Sequence, residues 1–218
     1  MPEKKIRLAV LCVLVVVFVV VVAVSRLGDR VAVTGDTSAE RVDSVQRLAS
    51  VRPAGAATVL ADAAANDPDP AVRRSAIAAL GTFRRAEDKP FVEKALQDPD
   101  NSVRAAAAGA LGAYGLETVT RLSALAQDPD PKVRLGAVTG LCQTGRGPGL
   151  AALLRIMAKD ANPEVQLQAL KAIEAVSNVR YLNEASPKDP QRWAAMVQRV
   201  RNNAWVQEEL AKENAGKP

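Results

Sequence analysis

Histidine is absent from this chain, and cysteine occurs only twice. The lack of imidazole excludes histidine-based acid–base catalysis, most zinc sites and two-histidine iron sites. Cys12 lies inside a long apolar run and Cys142 stands far from it, so we expect no internal disulfide. No nucleophile–base pair is visible, and no catalytic, cofactor-binding or metal-binding residue is predicted. The chain is therefore not expected to be an enzyme.

Aromatic residues are also scarce, at 3% of the chain, although 48% of the residues are hydrophobic. Alanine and valine supply most of the apolar side chains, and such small side chains suit closely packed helices. The formal net charge is +5, but from Arg26 onward it is only about +3. This positive excess is too small and too dispersed to indicate nucleic acid binding.

One long apolar run stands near the start of the sequence. Leu8 to Val24 contains 17 residues without a charge or a proline, and Ile6 extends the run beyond Arg7. As a helix the run would be roughly 26 Å long, which lies within the range of membrane-spanning helices. We therefore predict a signal anchor over residues 1–25, with residues 6–24 in the membrane.

The charges that flank this run predict its orientation. Lys4, Lys5 and Arg7 precede it, so the positive-inside rule predicts a single-pass protein with a cytoplasmic amino terminus and the remaining chain outside the cytoplasm. The alternative is secretion after signal cleavage, because the Ala-Val-Ser sequence at 23–25 resembles a cleavage site. The polar, glycine-containing residues 26–43 are predicted to be a linker.

A seven-residue sequence then recurs about every 31 residues, which indicates a stacked repeat protein rather than a compact single-core domain. Four copies are present, the last of them degenerate: Asp67-Pro-Asp-Pro-Ala-Val-Arg73, Asp98-Pro-Asp-Asn-Ser-Val-Arg104, Asp128-Pro-Asp-Pro-Lys-Val-Arg134 and Asp160-Ala-Asn-Pro-Glu-Val-Gln166. The third residue of each copy is predicted to be a helix N-cap, and a proline in the fourth position to be the first helical residue.

Each copy lies between two apolar stretches, so each unit is predicted to be helix, short turn, helix. Counted from the valine of the copy, the second helix carries alanine four residues on and leucine or isoleucine eight residues on, which is a stripe at helical period. Gly81 and Gly112 are expected to stop the first two of these helices. Such pairs cannot bury their faces alone, which predicts an all-α, right-handed solenoid of about four hairpins over residues 44–178.

Residues 179–218 are predicted to form capping helices and a tail. Asp189 and Pro190 have the pattern of a helix start. The apolar residues that follow would share one face of that helix: Trp193, Met196, Val197 and Val200. This face either covers the end of the solenoid or binds a partner.

The repeated turn and the Ala-(Ile/Val/Ala)-x-x-Leu pattern behind it resemble HEAT repeats, most closely the short type of about 31 residues first noted in phycobiliprotein lyases. The resemblance covers about residues 54–177. It is weakest in the last copy, where Ala161 and Gln166 replace proline and arginine. The resemblance implies that the first helix of each pair lines the convex face and the second helix the concave face.

The arginine that ends three of the copies is predicted to lie along the seam between repeats. The three arginines are Arg73, Arg104 and Arg134. Each needs a carboxylate partner, because the loss of water around the guanidinium would otherwise not be compensated. The natural partners, within or between repeats, are the aspartates that open the copies: Asp67, Asp98 and Asp128. In HEAT proteins similar residues form a ladder that ties repeats together, so we interpret these charges as structural rather than catalytic.

The face opposite the apolar stripe is small and mostly uncharged in its middle, which suits docking of a peptide or protein helix better than a phosphate backbone. The residues predicted to bind a partner there are Arg74, Leu135, Thr139, Leu167 and Lys171. The sequence therefore favours a membrane-anchored, non-catalytic protein–protein interaction scaffold without a small-molecule substrate. The alternative, implied by the resemblance, is an accessory subunit or lyase-like enzyme of the HEAT-repeat lyase group.

Overall fold

The computed structural model describes residues 31–145, 149–177 and 189–215, and the described residues form eleven α-helices, short 3₁₀ turns and no strand. The helices are α1 (Ser38–Val51), α2 (Ala56–Asn66), α3 (Pro70–Phe83), α4 (Lys89–Ala95), α5 (Asn101–Leu111), α6 (Val119–Leu125), α7 (Pro131–Gln143), α8 (Leu150–Lys159), α9 (Pro163–Ser177), α10 (Pro190–Arg201) and α11 (Ala204–Ala215).

These helices stack as a solenoid in two layers. The second helices of the units form one row, in which α1, α3, α5, α7 and α9 each pack against the next. The first helices, α2, α4, α6 and α8, each pack against the second helix of the same unit. The prediction of an all-helical repeat solenoid is confirmed, because each helix buries one face against its own partner and the neighbouring repeat.

The apolar stripe forms the core of every unit. The valine, the alanine four residues on and the leucine or isoleucine eight residues on have 0% exposed surface in all four copies: Val72, Ala76, Leu80, Val103, Ala107, Leu111, Val133, Ala137, Leu141, Val165, Ala169 and Ile173. Full burial of one valine or leucine side chain stabilises the fold by about 1.5–3 kcal/mol. This stripe is therefore a major source of the packing energy that holds the second helices together.

The predicted helix starts are confirmed by their caps. Asp69, Asp100 and Asp130 each accept a hydrogen bond of 2.8 Å from the backbone N–H two residues further on. In the degenerate copy, Asn162 likewise accepts a hydrogen bond of 2.8 Å from the backbone N–H two residues further on. The side-chain oxygen satisfies an N–H group that has no partner within the helix, which is why this residue type starts each helix.

The two glycines expected to stop helices act mainly in helix packing. Gly81 lies inside α3, which continues to Phe83 and is capped by Arg84 in the left-handed region at φ 55°. A Cβ at Gly81 would lie 2.7 Å from the Cβ of Ala110 in α5. The prediction for Gly81 was wrong, because the glycine lets two helices approach rather than turning the chain. Gly112 does follow the end of α5, but in the right-handed region at φ −60°.

The helical array begins at residue 38, six residues before the predicted boundary at residue 44. Residues 38–43, part of the predicted linker 26–43, form the beginning of α1. Thr37 caps this helix in a capping box, since its Oγ1 accepts from the N–H of Glu40 at 3.3 Å while the Glu40 carboxylate accepts from the N–H of Thr37 at 3.1 Å. Ser44 and Val45 are the buried residues of α1, which packs against α3 as the first member of the second-helix row.

The carboxy-terminal helices close the other end. Asp189 caps α10, and the four apolar residues predicted to share a face, from Trp193 to Val200, are all buried. Both α10 and α11 pack against α8. The structure thus favours the covering role of this face over partner binding.

The predicted membrane anchor at residues 6–24 lies outside the described residues. Among the helices that the structure does describe, none combines the length and the apolar character needed to span a membrane.

Candidate functional site

A groove of about 730 Å³ opens across α3, α5 and α7 in the second-helix row. Three of the five residues predicted to bind a partner line it: Arg74, Leu135 and Thr139. Arg74 lies in the first turns of α3, whereas Leu135 and Thr139 lie one turn apart on α7. The other two predicted residues, Leu167 and Lys171, lie on α9 and do not line the groove.

The groove exists because small residues face it. Its floor includes Ala105 and Gly109 of α5 and Gly136 of α7. Gly136 lies so close to α5 that a Cβ there would overlap the carbonyl oxygen of Ala105. A Cβ at Gly109 would meet Thr139 Cγ2 only at 3.7 Å, which is ordinary van der Waals contact. Gly136 therefore sets the spacing of the two helices, while Gly109 leaves space within the groove.

Three cations, Arg74, Arg84 and Lys132, stand among the lining residues, and no carboxylate does. Arg84 and Lys132 were not predicted from the sequence as site residues. Lys132 occupies the fifth position of its copy, two residues before Arg134, and Ser102 at the same position of the preceding copy also lines the groove. The repeat position that Lys132 shares with Ser102 was the feature of the sequence that could have placed Lys132 in the groove. Arg84 lies just beyond the end of α3, where the helical period no longer predicts a direction.

The arginine ladder runs between repeats. Arg73 donates through Nε and Nη2 to the two carboxylate oxygens of Asp98, both at 2.8 Å, and Arg134 binds Asp160 in the same way at 2.7 and 2.8 Å. In each pair the aspartate belongs to the following unit. The hydrogen bonds from Arg73 hold the pKa of Asp98 below its usual value. The pairing is thus a structural tie, as expected.

α1 supplies a rung that was not predicted from the sequence. Arg41 donates to the carboxylate of Asp67 at 2.8 and 3.0 Å. The spacing in the sequence contained this clue, because Asp67 follows Arg41 by 26 residues, as Asp160 follows Arg134.

One predicted rung is absent. Arg104 donates to the carbonyl oxygens of Asp98 and Pro99 at 3.0 and 3.1 Å, but no carboxylate of the described chain pairs with its guanidinium. Asp128 follows Arg104 by only 24 residues, whereas 25 or 26 residues separate the paired groups. The joint between α5 and α7 is held instead by the close approach at Gly136 and by Asn101, which donates to Asp130 at 2.5 Å.

Three buried polar atoms away from the groove lack a hydrogen-bond partner among the described residues: Asp88 Oδ2, the hydroxyl of Tyr114 and the indole Nε1 of Trp193. Arg85 Nε lies 3.6 Å from Asp88 Oδ2. Burial raises the pKa of Asp88, and burial together with the charge of Asp88 raises the pKa of Tyr114 to about 12. Within the described ranges, no group of three or more histidine, cysteine, aspartate and glutamate residues could hold a metal ion.

Cys142, the one cysteine in the described part of the chain, is half-buried near the end of α7. Its Sγ lies 4.0 Å from the carbonyl oxygen of Ala172 in α9. Burial raises the pKa of this thiol, so the unreactive protonated form prevails at neutral pH.

Comparison with known proteins identifies the family. The HEAT repeats family matches residues 57–122 and 118–209, which together make up more than half of the chain. No curated protein matches the chain.

Similar solved structures include an engineered protein, with 19% identity, a TM-score of 0.48 and coverage of 83% of this chain and 91% of that one. The complex of CpcE and CpcF of phycocyanin lyase from Nostoc sp. PCC7120 has 16% identity, a TM-score of 0.43 and coverage of 84% and 91%. A designed armadillo repeat protein has 18% identity, a TM-score of 0.46 and coverage of 85% and 97%. By the family match over its repeats, this chain is a member of the HEAT repeat family.

Proposed function

We propose that this protein is a membrane-anchored, non-catalytic scaffold that binds another protein or peptide in the groove across α3, α5 and α7. The observation that carries the proposal is the groove itself, which is open, has a floor of small residues and lies on the row of second helices. An amphipathic helix can place its apolar face in a groove of this kind. Leu135 offers an apolar contact in it, and Thr139 is exposed beside it.

The lining chemistry supports a non-catalytic role. The groove contains the hydroxyl groups of Thr82, Ser102 and Thr139 but no carboxylate. Ser102 Oγ donates to Asp100 at 2.5 Å, yet Asp100 caps α5, and this hydrogen bond lowers its pKa, which makes it a weak base. A hydroxyl nucleophile needs an effective base beside it, and the chain has no histidine to supply one.

The anchor and the topology form the second part of the proposal. Residues 6–24 would span the membrane, with the amino terminus in the cytoplasm and the repeats outside it. Alkaline carbonate washing of membranes should leave the full-length protein in the pellet. Release into the supernatant would exclude the anchor, and a mature amino terminus near Arg26 would show a cleaved signal and a secreted protein instead.

A photo-crosslinking amino acid at Thr139 tests docking in the groove in intact cells. The matched control places the same amino acid at Arg121, an exposed residue of α6 outside the groove. We expect a protein adduct from position 139 that is absent from position 121. The same adducts from both positions, or none from 139, would count against docking in the groove.

Two substitutions then locate the contact. Ala78 is an exposed lining residue of α3, so Ala78→Glu should prevent the adduct without disturbing the core. Leu167 lies outside the groove, so Leu167→Glu should leave the adduct unchanged. Far-UV circular dichroism verifies that both variants keep their helical content. An adduct that persists in Ala78→Glu at the level of the unsubstituted protein would place the binding face elsewhere.

A further inference from the structure

The groove carries charge of one sign. Its lining contains Arg74, Arg84 and Lys132 and no acidic residue. In the described part of the chain none of these three cations takes part in an ion pair, whereas Arg73 and Arg134 nearby are bound to aspartates. Unpaired cations beside an apolar floor leave a positive potential that a partner of opposite charge would complement.

The carboxylates at the start of the neighbouring helices lie outside the lining of the groove, and because they are ionised they offset part of this positive potential. Asp100 and Asp130 cap α5 and α7, where they accept hydrogen bonds from the backbone N–H groups of Ser102 and Lys132. The pKa of each is lowered, Asp100 by the Ser102 side chain and Asp130 by the Lys132 backbone N–H, so both stay ionised while bound to their helices. Neither lines the groove.

The cations stand at both ends of the groove. Arg74 lies near the start of α3 and Lys132 near the start of α7, while Arg84 lies just past the end of α3. Arg84 follows Arg74 by ten residues, all but the last of them in α3, which corresponds to about 15 Å along the helix axis. Between the ends the lining is apolar and small, with Ala78, Ala105 and Leu135.

We infer that the groove takes an amphipathic helical segment of a partner protein, with small or apolar side chains in its middle and carboxylates at both ends about 15 Å apart. This inference rests on the proposed docking function and adds the chemistry of the occupant. Arg74 and Lys132 would contact the acidic residues at one end of the segment, and Arg84 those at the other end.

The test uses two defined peptides and the full chain in a non-ionic detergent. Both peptides have about 12 residues and the same leucine and alanine face, with glutamates at both ends of one and lysines at both ends of the other. Fluorescence anisotropy at low salt should show the glutamate peptide binding at least tenfold more tightly, since several weak charge contacts change from repulsive to attractive. This preference should decrease as salt is raised.

Charge reversal inside and outside the groove provides the matched control. The double substitution Arg74→Glu and Lys132→Glu should invert the preference between the peptides. The corresponding double substitution Arg155→Glu and Lys159→Glu, on exposed residues of α8 outside the groove, should not change it. Ala78→Leu, which fills the groove without a change of charge, should weaken binding of the glutamate peptide.

Each result supports or contradicts the inference. Equal binding of both peptides, weakened by Ala78→Leu, would refute the acidic occupant while leaving docking in the groove intact. Failure of both peptides to bind, or binding that Ala78→Leu does not change, would refute the proposed helical occupant. The crosslinking from Thr139 uses the cell's own proteins, so its outcome does not depend on these peptides and reports on the docking function separately.

Discussion

A comparison of two arginines can isolate the stabilisation that one ladder rung provides. Arg73 and Arg104 occupy the same position in consecutive repeats and make the same backbone contacts. Arg73 donates to the carbonyl oxygens of Asp67 and Pro68 at 3.0 and 3.2 Å, and Arg104 donates to those of Asp98 and Pro99 at 3.0 and 3.1 Å. Only Arg73 also binds a carboxylate. The difference between Arg73→Ala and Arg104→Ala is therefore the ion pair.

The burial of this pair predicts the size of the difference. The side chains of Arg73 and Asp98 are 13% and 10% exposed. Breaking a fully buried ion pair costs about 3–5 kcal/mol, and hydrogen bonds to charged groups contribute about 1.5–3 kcal/mol. Asp98 would keep its hydrogen bond from the N–H of Asp100 at 2.9 Å. We therefore expect Arg73→Ala to destabilise the fold by about 2–3 kcal/mol more than Arg104→Ala.

Urea unfolding followed by circular dichroism measures the free energy of unfolding of both variants. In thermal unfolding, a difference of this size corresponds to about 5–10 °C in melting temperature. The pKa of Asp98 is lowered in the fold, so the rung contributes stability above the pKa of unfolded aspartate, about 3.9, and loses it as the pH falls through the folded value. The difference between the variants should thus shrink below about pH 4. Variants within about 0.5 kcal/mol of each other at pH 7 would refute the stabilising role of the rung.

Three further substitutions test features outside the ladder. Gly136→Ala should destabilise the fold by about 1–3 kcal/mol because its Cβ would overlap Ala105. The control Gly109→Ala should be neutral or stabilising by up to about 1 kcal/mol. Equal denaturation midpoints of the two variants would contradict this. Asp88→Asn should stabilise the fold by about 1 kcal/mol at pH 7, because the raised pKa of Asp88 means that its ionisation opposes folding. This gain should disappear below about pH 4, and a less stable variant at pH 7 would show that the carboxylate is needed. Tyr114→Phe removes a buried hydroxyl without a hydrogen-bond partner in the described chain, so its melting temperature should equal or exceed that of the unsubstituted protein, and a clear decrease would indicate a missing partner.

The helices around the repeated turns were predictable because their determinants are local. An aspartate or asparagine N-cap, a proline behind it and an apolar stripe all act within one helix. The start of α1 was missed because it lacks the Asp-Pro turn, although Thr37 and Glu40 have the spacing of a capping box. The role of Gly81 depends on Ala110 in the next repeat, which no local pattern contains.

The candidate site was predictable only in part, for a related reason. Helical period indicates which face a residue occupies, and that places Arg74, Leu135 and Thr139 on the face where the groove lies. The extent of the groove depends on how closely neighbouring helices approach, so the inclusion of Arg84 and the exclusion of Leu167 follow from packing rather than from period. The direction of the ladder, from one repeat to the next, likewise needs the three-dimensional register of the units.

Gly136 has two roles, so the floor of the groove is difficult to redesign, whereas the charged residues of its lining are not. Because this glycine spaces α5 and α7 and also forms the floor, a larger residue there would alter the joint and the binding surface together. Arg74, Arg84 and Lys132 stand outside the buried core, so exchanging them leaves the packing of the repeats intact. An engineer could therefore give the same solenoid a new binding preference by changing the sign of these three side chains alone.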